Sequence, residues 1–294
     1  MTPAVLSAAE SNQLGRLALA PLRMPAPAAA GLTRIAAAGT GLEFHDYRRY
    51  VTGDDPRRID WNVAARHGQL VVRRFSAEGH TPLHLLLDVS GSMAIGAPSK
   101  LSCATKLGAA LAYVASTRRD HLALTTFDAT LRSIVPMKSG RAQLHRVLHG
   151  LGAADARGAS SLDRALMLFG ATAHGPGFVV ILSDFFAPDL TLDGARFLLY
   201  RGLTPALVQV VADEEIEPDV ADDLDLVDVE HPAGPPIAVD PAAIADYRRR
   251  LAALEAELRG FCAAHHLPWL RVPSSTPFHA LITASVGAGL FSAC

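Results

Sequence analysis

The sequence predicts an α/β protein with a doubly wound, mostly parallel, Rossmann-like sheet and a small N-terminal subdomain. The chain has 294 residues, of which 50% are hydrophobic and 19% are charged, so it can bury a large core in one large or two modest domains. From residue 81 onward, short apolar runs alternate with segments of helical periodicity. This alternation is typical of parallel strands covered by helices.

The first 80 residues differ in composition from the rest. Residues 1–40 combine an amphipathic segment over 6–22 with a Pro/Ala/Gly-rich stretch, which predicts a leader helix and a linker. Residues 41–80 contain a β-run over 69–75, a turn at 53–56 and enough aromatic side chains to pack. We therefore expect residues 41–80 to form a small subdomain packed on a main domain of residues 81–294.

The elements of the main domain follow from two rules. Apolar runs without alternation predict strands buried on both faces, and apolar residues three and four apart predict helices. The proline of Asp240-Pro241 suits the first turn of a helix. The expected elements are a strand over 84–87, a helix over 101–114, a strand pair over 122–127 and 131–135, a helix after Ser139, a helix after Ser160 or Ser161, a strand over 178–183, a helix near 190–200, a strand over 206–212, a helix over 241–261 and a strand over 269–272.

Composition argues against several functional classes. The formal net charge of -2 does not favour nucleic acid, and no apolar stretch is long enough to span a bilayer. The N-terminal pattern does not resemble a secretory signal, so we expect a cytoplasmic protein. The three cysteines fit no disulfide framework, and no phosphate-binding Gly-x-x-x-x-Gly-Lys motif occurs. Residues 213–230 hold ten acidic side chains and no lysine or arginine, and are interpreted as a solvated loop, with docking of a basic partner as the alternative.

Oxygen-bearing side chains follow two of the predicted strands. Asp88, Ser90 and Ser92 come directly after the first strand, and Asp184 follows the strand over 178–183. Ligands of open α/β sheets gather at the carboxyl ends of the strands, where Ser160 in the loop before the next helix is also expected. An all-oxygen set suits Mg²⁺ or Mn²⁺ and not Zn²⁺. In the other interpretation, this loop only caps the following helix.

Two resemblances sharpen this prediction. The Asp-x-Ser-x-Ser element at 88–92, with Ser160 and Asp184, resembles the metal-ion-dependent adhesion site (MIDAS) of von Willebrand factor A domains. The runs at 41–50, 53–61 and 65–73 resemble a narrower family, the bacterial domain of unknown function 58, whose members are von Willebrand factor A-like. Carried over, the site departs from the A-domain pattern in having serine in place of threonine at Ser160 and Phe185-Phe186 in place of glycine after Asp184.

The resemblance implies a function that the residues alone do not. Members of this family are associated with MoxR-type AAA+ ATPases, so the chain is expected to be a non-enzymatic interaction module, an adaptor or co-chaperone of such an ATPase. A metal at Asp88, Ser90, Ser92, Ser160 and Asp184 would take a carboxylate of a client protein. No bound nucleic acid and no membrane span are expected.

Two other functions remain open at this stage. A Mg²⁺-dependent phosphohydrolase would use Asp88 as a nucleophile, although a hydroxyl stands at position 90 where a carboxylic acid would help. An A-type domain that binds structured RNA would use arginines such as Arg57 and Arg58, but these are interleaved with acidic residues.

Overall fold

The computed structural model describes residues 5–15, 17–20, 42–50, 59–77, 82–187, 190–218, 225–226, 237–238 and 241–293. The chain divides into two compact units. The larger comprises residues 1–27 and 81–294, and the smaller comprises residues 28–80.

A six-stranded sheet forms the centre of the larger unit. Its strands are β4 (Leu83–Asp88), β5 (Leu122–Phe127), β6 (Leu131–Lys138), β7 (Gly177–Ser183), β8 (Leu203–Val211) and β11 (Trp269–Pro273). They lie in the order β11-β8-β7-β4-β5-β6, and only β6 runs antiparallel to its neighbour. The chain places β5 on one side of β4 and β7 on the other, so the sheet is doubly wound, as predicted.

Helices cover both faces of this sheet. They are α3 (Lys100–Thr117), α4 (Arg141–Gly152), α5 (Leu162–Thr172), α6 (Asp193–Tyr200), α8 (Pro241–His265) and α9 (Phe278–Gly287). Leu85 and Leu87 of β4 pack in a core with α3, α4 and α9. Leu86 packs in a second core with α5, α6 and α8. Successive strand residues point to opposite faces, so the unalternating apolar run of β4 fills both cores.

The two ends of the chain depart from the predicted pattern. The predicted leader helix over 6–22 is shorter, because α1 (Ala8–Leu14) is followed by a strand, β1 (Leu17–Leu19). This strand pairs antiparallel with β12 (Phe291–Ala293), beyond the predicted last strand. Leu14 and Leu19 are buried in the α3 side of the core, so the apolar residues interpreted as one helical stripe belong to two elements.

The smaller unit contains a two-stranded antiparallel sheet and one helix. β2 (Leu42–Arg49) pairs with β3 (Val71–Ala77), with an irregularity between Phe44 and Asp46. α2 (Trp61–His67) lies between β2 and β3 in the chain order. The Asp60 carboxylate accepts a hydrogen bond from the backbone N–H of Val63. The predicted β-run over 69–75 is thus confirmed with a shift of two residues, and the predicted turn at 53–56 lies outside the described residues.

The remaining short elements of the chain are α7 (Asp213–Ile216), β9 (Asp225–Leu226) and β10 (Ile237–Ala238). Within the described residues, every helix is too short or too polar to cross a bilayer.

His84 of β4 gives the fold a testable pH dependence. Its ring packs edge-on against the Phe169 ring, with 5.1 Å between the two ring centroids. Burial lowers the pKa of His84 to about 4. The unfolded imidazole has a pKa of about 6.5, so the unfolded state binds the extra proton first. The free energy of unfolding should therefore fall as the pH drops from about 6.5 to 4, by at most about 1.4 kcal/mol per pH unit from this group.

Chemical denaturation at several pH values measures this loss. The substitution His84→Phe keeps a ring against Phe169 and should remove the His84 component, whereas His174→Phe at an exposed position should leave it in place. Parallel pH profiles for the His84→Phe variant and the unmodified protein would contradict the assignment.

Candidate metal centre

The candidate site lies where the strand order reverses. β4 is flanked by β5 and β7, and the loops that follow β4 and β7 leave the same edge of the sheet because these strands are parallel. Such a point in a doubly wound sheet opens a crevice between diverging connections. Asp88 ends β4 and Asp184 directly follows β7, so the topology brings the two predicted carboxylates to neighbouring strand ends.

Asp88 is completely buried and tightly hydrogen-bonded. Its Oδ1 accepts from the backbone N–H of Ser90 at 2.9 Å, and its Oδ2 accepts from the Ser183 hydroxyl at 2.6 Å. Burial, and next the negative charge of Asp184, raise the pKa of Asp88 to about 7, against the lowering effect of the Ser183 and Ser90 hydrogen bonds. The carboxylate is held in one orientation in a place that disfavours its charge.

The two predicted serines of this loop face each other. The hydroxyl oxygens of Ser90 and Ser92 lie 3.2 Å apart, next to the Asp88 turn. Ser90 precedes a short 3₁₀ helix (Gly91–Ala94) without capping it through its side chain, and Ser99 is the residue that caps α3. Side-chain capping of the next helix therefore does not account for the serines at positions 90 and 92.

The loop that carries Ser160 is fastened to this turn through its backbone. The N–H of Gly91 donates to the carbonyl of Gly158 at 2.7 Å, and the N–H of Arg157 donates to the carbonyl of Val89 at 2.7 Å. These two bonds bring the segment that precedes α5 to the Asp88 loop. Ser160 lies two residues further on and is partly buried.

Asp184 is held by an ion pair that the sequence did not reveal. Its Oδ2 accepts from the ammonium of Lys100 at 2.7 Å, and its Oδ1 accepts from the N–H of Phe186 at 3.0 Å. The Gln209 amide donates to its carbonyl at 3.2 Å. Lys100, the first residue of α3, is completely buried. A lysine ammonium inside a protein requires compensation by carboxylates, and Asp184 supplies part of it.

Glu215 supplies the second carboxylate that compensates the buried Lys100 ammonium. Its Oε1 lies 2.6 Å from the Lys100 ammonium, and its Oε2 accepts from the N–H of Ala212 at 2.8 Å. The hydroxyl of Tyr247 on α8 donates to its backbone carbonyl at 2.9 Å. Residues 213–230 were interpreted as a solvated loop, and this is wrong at Glu215, whose side chain is only 14% exposed.

Phe185 and Phe186, which follow Asp184, have different surroundings: Phe185 is in the hydrophobic core, and Phe186 is beside the Lys100 ammonium. Phe185 has a left-handed backbone (φ 63°) and a side chain buried in the core between α5 and α8. Such a conformation is ordinarily taken by glycine. The Phe186 ring lies with its centroid 5.1 Å from the Lys100 ammonium and lines a groove against Tyr247 and Leu251.

The chemistry of this cluster fits a small hard cation. Asp88, Ser90 and Ser92 present oxygen atoms at one turn, and a second carboxylate lies on the neighbouring strand end. The described residues hold no group of three or more His, Cys, Asp or Glu arranged to bind a metal, so such an ion would depend on hydroxyl oxygens as well as the two aspartates. This composition suits Mg²⁺ or Mn²⁺.

Three partners of the site escaped the sequence analysis. Ser183 and Glu215 carry no local signal, because their bonds join residues 95 and 115 positions apart. Lys100 does carry one. It lies one helical turn before Ala104 and two turns before Leu107 on the apolar stripe of α3, where a charged side chain must be buried with a partner.

Comparison with known proteins gives a family match and several remote relatives. The family model described as "Protein of unknown function DUF58" matches residues 46–256. Uncharacterised proteins of Mycobacterium bovis and Mycobacterium tuberculosis are each 29% identical over 226 residues, which cover 75% of this chain and 71% of theirs.

Solved structures with a similar fold include three bacterial proteins. The conserved hypothetical protein BatB of Bacteroides thetaiotaomicron has a TM-score of 0.45 and 14% identity, and the match covers 70% of this chain and 96% of that one. An aerotolerance-related membrane protein of Bacteroides fragilis has a TM-score of 0.46 and 14% identity, with 70% of this chain and 99% of that one covered. A von Willebrand factor type A protein of Catenulispora acidiphila has a TM-score of 0.35 and 19% identity, with 63% of this chain and 45% of that one covered. At these TM-scores the overlap is too loose to transfer residue roles to this chain.

The buried ion pair should dominate the stability of this edge of the sheet. The substitution Asp184→Ala leaves the Lys100 ammonium with Glu215 alone and should lower the free energy of unfolding by about 3–5 kcal/mol, the usual cost of breaking a buried pair. Urea denaturation measures the loss. Asp193→Ala removes a half-exposed partner of Arg196 and should cost at most about 1 kcal/mol. Equal losses in the two variants would show that the Lys100 ammonium is hydrated in solution.

Proposed function

The chain belongs to the DUF58 family, and from that premise we propose that it is a non-enzymatic, von Willebrand factor A-like interaction module with a metal-ion-dependent adhesion site. In this proposal Mg²⁺ or Mn²⁺ is held by Asp88, Ser90 and Ser92, with Ser160 and Asp184 completing the set. The observation that carries it is the pairing of two buried carboxylates at the switch point with the facing hydroxyls of Ser90 and Ser92.

The buried charges support a cation at this point. Asp88 and Asp184 repel each other, and only Asp184 has a lysine ammonium in contact. Such an arrangement is costly unless a proton or a cation compensates it. When bound, the ion would supply an open coordination position for a carboxylate of another protein. The chain's own part is to orient Asp88 through Ser90 and Ser183, and to hold the Ser160 loop against the same turn.

The same geometry favours a binding role over phosphoryl transfer. A nucleophilic Asp88 needs a free oxygen to attack a phosphoryl group, yet this side chain is completely buried. Both of its oxygens accept hydrogen bonds, one from the N–H of Ser90 in the following loop and one from the Ser183 hydroxyl at the end of β7. A single ion needs far less room than a phosphate ester. We therefore propose binding and not turnover.

The proposed partner comes from the family resemblance. A MoxR-type AAA+ ATPase is the protein with which such family members are associated, and this chain would act as its adaptor or co-chaperone. The metal would take a carboxylate of the ATPase or of a client protein.

Metal binding is the first test of this proposal. Isothermal titration calorimetry with Mg²⁺ and Mn²⁺ should show one site in the unmodified protein, and Asp88→Asn should weaken it at least about tenfold because the one carboxylate without a lysine partner loses its charge. Binding to the folded state also adds about 2.7 kcal/mol of stability at a hundredfold excess over Kd, which thermal unfolding detects independently.

A matched variant controls for the loss of any carboxylate at this edge of the sheet. Asp128 follows the neighbouring strand β5 and is already engaged by Arg132 and Thr130. Asp128→Asn should leave the ion affinity within about twofold, because its charge is already balanced. Calorimetry without heat of binding in the unmodified protein would refute the metal site.

The partner test uses purified components. A MoxR-type AAA+ ATPase from the same genome should be retained by the immobilised chain in the presence of Mg²⁺, and Asp88→Asn should abolish the retention. The variant is a cleaner comparison than a chelator, since the ATPase itself needs Mg²⁺ to bind nucleotide. Retention that is absent, or equal for the variant, would contradict the proposed docking mode.

A further inference from the structure

Lys100 places an ammonium group next to the site where the proposed function requires a divalent cation. Its side chain is completely buried at the start of α3, and its ammonium lies 2.7 Å from Asp184 and 2.6 Å from Glu215. An ammonium at hydrogen-bond distance from a carboxylate neutralises much of its charge. Asp184, assigned above to the metal, is therefore already occupied by an internal cation.

The charges of the cluster do not balance. Asp88, Asp184 and Glu215 stand against the single ammonium of Lys100, so these four side chains retain two negative charges when all are ionised. A divalent ion has the charge that they lack. The two aspartates are not equally available to such an ion. Asp88 has no lysine contact, whereas Asp184 already contacts the Lys100 ammonium.

We propose that Lys100 is an internal competitor of the divalent ion, which weakens the binding of that ion by occupying Asp184. This inference rests on the proposed metal site and concerns its regulation. Asp184 has one oxygen on the Lys100 ammonium and the other on the N–H of Phe186. An ion that coordinates Asp184 must displace the ammonium or lie close to it, and both alternatives oppose binding.

Glu215 makes the displacement possible without unpairing Lys100. Its carboxylate already contacts the ammonium, and it is fixed by the N–H of Ala212 and, through its backbone, by the Tyr247 hydroxyl. When an ion takes Asp184, the ammonium retains Glu215. Glu215 is thus a positioning residue that holds the competitor ready to return when the ion leaves.

A charge series tests this competition. Mg²⁺ and Mn²⁺ titrations by calorimetry compare the unmodified protein with Lys100→Met, Glu215→Gln and the double variant. Lys100→Met should tighten binding at least about tenfold, because Asp184 becomes free. Glu215→Gln should weaken it, because the ammonium then depends on Asp184 alone. The double variant should bind the ion more tightly than Glu215→Gln.

Lys106→Met provides the matched control, since Lys106 is an exposed lysine of the same helix. Its ion affinity should equal that of the unmodified protein. Circular dichroism first establishes that each variant is folded. Lys100→Met leaves Asp184 and Glu215 without their lysine partner, and the double variant has only one of these two carboxylates. If Lys100→Met alone does not fold, the double variant is compared with Glu215→Gln.

The outcomes separate the two proposals. Ion binding with the same affinity in the unmodified protein and in Lys100→Met overturns the competition and leaves the metal site standing, as does equal affinity of the double variant and Glu215→Gln. Binding that appears only when Lys100 is removed supports the competition and overturns the resident metal. No binding in any variant overturns both.

Discussion

The ion pair between Lys100 and Asp184 is the interaction on which the candidate site depends. It joins the first turn of α3 to the end of β7, 84 positions apart in the chain, and does so in the interior. An ammonium there is tolerated only with carboxylates around it, so Asp184 and Glu215 are fixed by the same requirement. The loop after β7, the start of α3 and the short helix α7 therefore hold one another in place, and the Asp88 turn lies beside them.

The sequence predicts the scaffold well because the scaffold depends on local patterns. The unalternating apolar runs of β4, β7 and β8 and the stripes of α3 and α8 are each contained within one element. The clustering of Asp88, Ser90 and Ser92 follows from the same local order. The pattern of α3 places Lys100 on a buried stripe without identifying its partners. Ser183 and Glu215 could not be assigned in this way, since a strand or helix pattern does not state which distant element lies opposite. Likewise, the local pattern predicts a helix where β1 forms, because the pairing of β1 with β12 is set at the far end of the chain.

The family match extends over both compact units of the chain, since residues 46–256 include most of the smaller unit and most of the larger one. The two resemblances divide in the same way. The Asp-x-Ser-x-Ser element lies in the larger unit, whereas the runs at 41–50, 53–61 and 65–73 lie in the smaller one. A sheet with oxygen ligands at its switch point is a general platform for binding. The residues that the family model matches therefore lie in both units, and most of them lie in the larger one.

Three energetically unfavourable features meet at one end of the sheet. Asp88 is a buried carboxylate that is not paired with Lys100, Lys100 is a buried ammonium, and Phe185 has a left-handed backbone that ordinarily costs about 1–3 kcal/mol. Apolar side chains at positions 88, 100 and 184 would fill the same space at less cost, as replacements of buried ion pairs often do. A fold has no structural need for all three features at one end of the sheet. Their coincidence at the switch point is the reason for proposing a binding site there and not a purely structural network, because a bound cation would offset the excess negative charge.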